Sequence, residues 1–107
     1  SEAGGLQVQR ADGGWMDIPP LEGGFVINTG DMMPRWTNDR WKSTMHRVVN
    51  RHTGGERWSI AYFFDLDGDA VITPLPHCVS AERPARYGPI TAAEHLAEMY
   101  RRTTVAA

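Results

Sequence analysis

Cysteine occurs once, at Cys78, so no disulfide can close within the chain. A single thiol fits a reducing, cytoplasmic compartment. Lysine also occurs once, at Lys42, and the other ten basic residues are arginine. That bias suits two-pronged recognition of carboxylate or phosphate, or reflects a GC-rich genome. Positive charge is not in excess, with 13 acidic residues against 11 basic ones, which gives no electrostatic reason to expect nucleic acid or a membrane surface as a partner. No apolar run approaches the ~20 residues of a membrane-spanning helix. There is no basic-then-apolar leader and no initiator methionine, and Ser1-Glu2-Ala3-Gly4-Gly5 reads as a cut end. Repeats and low-complexity tracts are missing too. The 107 residues therefore make one domain or a piece of one.

What is present is mostly short strand-like runs. Leu6-Gln7-Val8-Gln9 alternates with period two, and Trp15-Met16-Asp17-Ile18 follows Asp12-Gly13-Gly14, which predicts a hairpin closed by an Asp-Gly turn. Pro19-Pro20 ends the second run, because proline offers no ladder donor. Residues 24–28 read as a third strand and residues 32–42 as irregular, with Pro34, Asn38-Asp39 and two tryptophans. Residues 44–49 and 57–64 are the fourth and fifth strands, and a short sixth follows at 70–73 after a turn at 65–69. Four prolines between 74 and 89 predict a loop that wraps rather than pairs. The last element is a helix. Thr91 is its N-cap, and Glu94 completes a Thr-x-x-Glu capping box. Leu96, Met99 and Tyr100 fall at helical spacing, and Arg101-Arg102 suit the negative C-terminal end.

The chemistry concentrates between Trp41 and Phe64. His46 shares a strand face with Thr44 and Val48 by alternation. A strand histidine, read alone, is more often a hydrogen-bonded structural residue than a metal ligand. Arg57 and Ser59 share a face of the next run. A guanidinium beside a hydroxyl among apolar residues is costly to bury without an acid partner. A carboxylate meets such an arginine with two parallel hydrogen bonds, and the serine adds another. The plain alternative is a surface arginine paired with Asp or Glu.

Read together, these residues and their surroundings resemble the isopenicillin N synthase-like family of Fe(II)/2-oxoglutarate-dependent dioxygenases. The stretches that carry the resemblance are Gly5-Leu6-Gln7-Val8, Trp15-Met16-Asp17-Ile18-Pro19-Pro20 and Phe25-Val26-Ile27-Asn28-Thr29-Gly30-Asp31. They continue with Trp36-Thr37-Asn38-Asp39-Arg40-Trp41-Lys42-Ser43-Thr44, His46-Arg47-Val48, Arg57-Trp58-Ser59-Ile60-Ala61-Tyr62-Phe63-Phe64 and Pro74-Leu75. The resemblance implies a mainly β fold: part of a double-stranded β-helix, or jelly roll, with a C-terminal helix. Residues 1–107 would be the C-terminal part of one such domain. It also implies that His46 is the distal iron ligand, and that Arg57 and Ser59 hold the far carboxylate of 2-oxoglutarate. The intact enzyme would oxidise a small molecule with dioxygen while decarboxylating the keto acid.

The family takes its other two iron ligands from a His-x-Asp motif upstream of the Leu-Gln-Val strand. No His-x-Asp or His-x-Glu occurs in this chain. Its partner is therefore expected to be a missing N-terminal segment or a second copy, and the chain alone is expected to be inactive, with open strand edges. Two alternatives stay open: a non-catalytic β-domain acting in assembly, and an iron oxidase of the same family that needs no 2-oxoglutarate.

Other motifs carry less. Asp65-Leu66-Asp67-Gly68-Asp69 has Ala70 and Pro76 where a calcium loop wants Gly and Glu, so it reads as a polar turn. His77-Cys78 lacks a second spaced pair for zinc. His52 and His95 are expected to be solvated. Asp31 is read as a turn residue, and Trp36 and Trp41 as packing residues or the rim of a substrate mouth.

Overall fold

The computed structural model describes residues 4–51 and 54–105, and His52 lies outside them. Their contacts group into two units. One holds the chain up to Asn28 together with Thr44–Phe63, and the other holds Thr29–Ser43 and the chain from Phe64 onward.

The first unit is a three-stranded antiparallel sheet in the order β2-β1-β3, formed by β1 (Leu6–Gln9), β2 (Trp15–Asp17) and β3 (His46–Val48). The hairpin between β1 and β2 closes as the Asp-Gly signal predicts. The Arg10 N–H donates to the Gly14 carbonyl at 2.7 Å. Asp12 Oδ1 accepts from the Gly14 N–H at 2.8 Å, the side chain tying down its own turn. Leu6 faces Val48 and Val8 faces His46 across the β1–β3 pair. Residues 24–28 and 57–64, expected as strands, are in neither sheet. Their sequences suit a pleated surface, but a strand needs a hydrogen-bonded neighbour, and none pairs with them among the described residues. Phe25 at 95% and Ile60 at 100% exposure show how little covers them.

The second unit contains α1 (Met32–Trp36), β4 (Val71–Ile72), a 3-10 turn at Pro76–Cys78, β5 (Ile90–Thr91) and α2 (Ala92–Val105). Helix α1 replaces the irregular stretch expected there. Pro34 is compatible with it, because a first-turn N–H has no intrahelical acceptor to lose. Asp31 occupies the N-cap position of α1 without a side-chain cap bond. β4 and β5 pair antiparallel, Ile72 against Ile90, so the proline-rich segment ends in a strand after all. Ile72, Cys78 and Ala92 form the apolar core. Asn38 is buried with them, and its amide nitrogen donates to the carbonyls of Cys78 and Pro84 at 3.1 Å each. Its Oδ1 accepts from the Arg86 N–H at 2.9 Å.

The start of α2 is fully specified. Thr91 Oγ1 accepts from the Glu94 N–H at 3.2 Å, and the Glu94 carboxylate accepts from the Thr91 N–H at 3.0 Å. The Ala92 and Ala93 N–H groups donate to Ala70 and Gly68 carbonyls, so the first-turn donors are met from the turn before β4. His95, expected to be solvated, is buried at 4% exposure. It stands at the fourth helical position after Ile90 and Thr91, where a staple residue packs inward.

Candidate keto-acid site

The sheet of the first unit has one polar face and one open face, and the polar face decides where His46 points. Gln7 is buried. Its amide donates to Asp17 at 3.0 Å, and its Oε1 accepts from Arg47 Nε at 2.9 Å. The Arg47 guanidinium also lies over the Trp15 ring, 4.0 Å from its centroid. Gln7, Asp17, Trp15 and Arg47 thus share one face across three strands. Neighbours along a strand alternate, so His46 and Val48 take the opposite face. A slip of one residue would break the Gln7 bonds to Asp17 and Arg47, so the observed register keeps this network intact.

His46 is exposed on that open face. Its Nδ1 lies 3.3 Å from the Thr44 carbonyl, a hydrogen bond in the tautomer that carries its proton on Nδ1. That tautomer leaves the Nε2 lone pair directed outward.

Arg57 and Ser59 line an open concavity of about 520 Å³ together with Val48, Asn50, Gly55, Glu56 and Trp58. Arg57 is half-buried, and its Nε donates to the Gly4 carbonyl at 2.7 Å. This bond uses one of five N–H donors. The Trp58 indole N–H donates to Glu56 at 3.0 Å, so the acidic group on the rim is tied to its neighbour. Val48 connects the two parts of the site, since it lines the concavity and shares a sheet face with His46 two residues away. The structure thus brings Arg57 and Ser59 together around one hollow, with His46 on the strand beside it. Sequence reasoning missed Gly4, because its contribution is a main-chain carbonyl, which no side-chain letter announces. The only available signal was the Gly4-Gly5 pair.

The donor set fits a carboxylate better than it fits a metal. Guanidinium, hydroxyl and a hollow of this size are suitable for a small acid. Among the described residues no group of three His, Cys, Asp or Glu side chains is placed to hold a metal ion. His46 offers one nitrogen, and a single imidazole does not make an iron site.

Comparison with known proteins identifies the family. The sequence profile of the 2OG-Fe(II) oxygenase superfamily matches residues 1–66. A 2-oxoglutarate-Fe(II) type oxidoreductase of Emericella nidulans is 43% identical over 103 residues, an alignment covering 95% of this chain and 29% of that protein. A 1-aminocyclopropane-1-carboxylate oxidase of Oryza sativa subsp. japonica is 48% identical over 79 residues, 74% of this chain and 24% of that one. Among solved structures, a 2OG-Fe(II) oxygenase family protein from Caulobacter crescentus superposes with a TM-score of 0.87 at 44% identity, covering 95% of this chain and 35% of its own. A full-length Neurospora crassa protein in complex with α-ketoglutarate and thymine gives 0.85 at 36% identity, over 96% and 32%. The chain therefore spans about a quarter to a third of the length of these relatives. The jelly roll expected from the sequence is present in part, as strands with a C-terminal helix. Fe(II) and 2-oxoglutarate are the metal and co-substrate from which this family takes its name, and the chain belongs to the 2OG-Fe(II) oxygenase superfamily.

Proposed function

We propose that residues 1–107 are the C-terminal catalytic part of a single jelly-roll domain in an Fe(II)/2-oxoglutarate-dependent oxygenase acting on a small molecule. In this reading Arg57 and Ser59 hold the distal carboxylate of 2-oxoglutarate, the guanidinium by paired hydrogen bonds and the hydroxyl by one more. His46 contributes one metal ligand through Nε2, and its Nδ1–H is turned to the Thr44 carbonyl, as metal-bound imidazoles commonly are. The remaining ligands come from another segment of the intact protein or from a second copy. Bound Fe(II) supplies the redox chemistry with dioxygen, and this chain's residues orient the co-substrate for it. A cytoplasmic location is part of the same reading and rests on the lone Cys78.

The observation that carries the proposal is the shared hollow of Arg57 and Ser59, with Val48 linking it to the His46 face. The test is Arg57→Ala in the intact protein. The 2-oxoglutarate concentration needed for half-maximal turnover should rise by roughly tenfold to a hundredfold, the usual worth of a charged hydrogen-bond pair, while Fe(II) binding is retained. An unchanged requirement removes Arg57 from this role.

One observation favours a second reading. The chain is 48% identical over 79 residues to an oxidase named for a carboxylate substrate, and in this second reading the Arg57–Ser59 pair holds the substrate's own carboxylate. Oxygen uptake without matched consumption of 2-oxoglutarate would select that reading over the first.

A further inference from the structure

Arg57 is useful only if its fork is aimed, and the aiming contact comes from the far end of the unit. Its Nε donates at 2.7 Å to the Gly4 carbonyl, 53 residues earlier in the chain. That carbonyl lies in the peptide plane it shares with the Gly5 nitrogen, so the φ angle of Gly5 sets the direction in which the oxygen points. Gly5 has φ +93° and Gly4 φ +62°, both in the region that L side chains rarely adopt. Gly5 is also held on both sides. Its carbonyl accepts from the Val49 N–H at 2.8 Å, and a Cβ on Gly5 would come within 2.4 Å of the Val49 carbonyl oxygen. The same Cβ would lie 3.7 Å from Arg57 Nε. A side chain at position 5 must therefore turn the peptide, break the tie to Val49, or both. Each would withdraw the acceptor from Arg57.

We propose that Gly4 and Gly5 are positioning residues for co-substrate recognition: their left-handed backbone presents a carbonyl that fixes Arg57 Nε and so directs the outer edge of the guanidinium at the distal carboxylate of 2-oxoglutarate. This rests on the reading that Arg57 receives that carboxylate. An arginine loses much side-chain freedom on binding, and fixing Nε beforehand removes part of that cost.

The experiment compares two keto acids in the intact, Fe(II)-loaded protein without oxygen, read by calorimetry. 2-Oxoglutarate has the distal carboxylate, and 2-oxobutanoate keeps the keto acid but lacks it. In Gly5→Ala the preference for 2-oxoglutarate should fall by about tenfold or more while 2-oxobutanoate affinity holds, because only the aimed contact is lost. An unchanged preference, or an equal fall for both keto acids, overturns the proposal. Should Gly5→Ala fail to fold, Gly4→Pro decides, since nothing lies within 4 Å of a Cβ at position 4 and the ring imposes a negative φ. Gly4→Asn, which tolerates the left-handed region, should keep the preference. Arg57→Ala separates the two claims. If it abolishes the preference while the glycine variants do not, only the positioning role fails; if it has no effect, the carboxylate reading itself fails.

Discussion

Asn38 has no exposed surface and makes contacts that no other side chain of its size reproduces. Its amide donates to two carbonyls of the proline-rich segment, its Oδ1 accepts from Arg86, and its own carbonyl accepts from Arg83 Nε at 3.1 Å. Its φ of +51° is one that asparagine tolerates. The neighbouring Asp39 accepts from the Tyr87 hydroxyl at 2.6 Å and from Arg86 at 3.0 Å. Those bonds, the Tyr87 one foremost, hold its carboxyl below the usual range, and the bond to Asp39 raises the Tyr87 phenol. Asn38→Ala leaves buried groups unpaired and strains the backbone, so it should lower stability by about 2–4 kcal/mol, read from the urea midpoint. A change below about 1 kcal/mol would mean water replaces the amide. The Asn-Asp pair was legible in the sequence only as part of an irregular stretch. The partners of the Asn38 side chain are main-chain groups 40 to 48 residues away, and main-chain groups look the same under every letter. The Gly4 contact to Arg57 was hidden for the same reason. The charged and hydroxyl side chains Arg57 and Ser59 carry their chemistry openly, but the hollow they share also takes in Trp58 between them, so strand alternation does not account for it.

Helix α2 shows how the signals of an element can be right about its ends and wrong about its face. The capping box forms as written, and Thr91→Ala should cost about 1 kcal/mol in denaturant unfolding, the usual worth of such a cap. His95 differs from expectation because polarity suggested solvent while its position after the cap dictated burial. Burial pushes its pKa below the ordinary value near 6.5; Arg35 and Arg102 push the same way, and Asp31 and Glu98 oppose them. With the folded value depressed, the unfolded chain takes up the proton first on acidification. The contribution of neutral His95 is complete above about pH 6.5 and is lost as pH falls from there toward the folded value. Wild-type stability should therefore drop between pH 7 and 5, and His95→Gln should flatten that drop. An identical slope in the variant would assign the pH dependence to other groups. Residues 57–64 give the opposite lesson. Alternation encodes which side chains share a face, but not whether a neighbouring backbone is there to pair.

At the scale of the whole molecule, the chain matches proteins three to four times its length, and it leaves apolar residues uncovered accordingly. Phe25, Ile27, Ile60 and Phe63 are each at least 79% exposed in the first unit. Residues 57–64 combine aromatic and β-branched side chains with one charge, the composition of a segment that seeks a strand partner. The isolated chain should self-associate with rising concentration in sedimentation, and Ile60→Lys should reduce that association. A monomer at every concentration would show that the uncovered surface is tolerated. The family was readable from motifs spread over most of the chain; what covers its apolar surface was not, since a sequence names only its own residues. Cys78 offers a different handle on the second unit. It is a free thiol at 4% exposure, packed where Asn38 gathers the proline-rich segment. An alkylating reagent reaches it only when that packing opens, so its labelling rate acts as a clock for breathing of this half of the chain, readable by mass spectrometry with no ligand added.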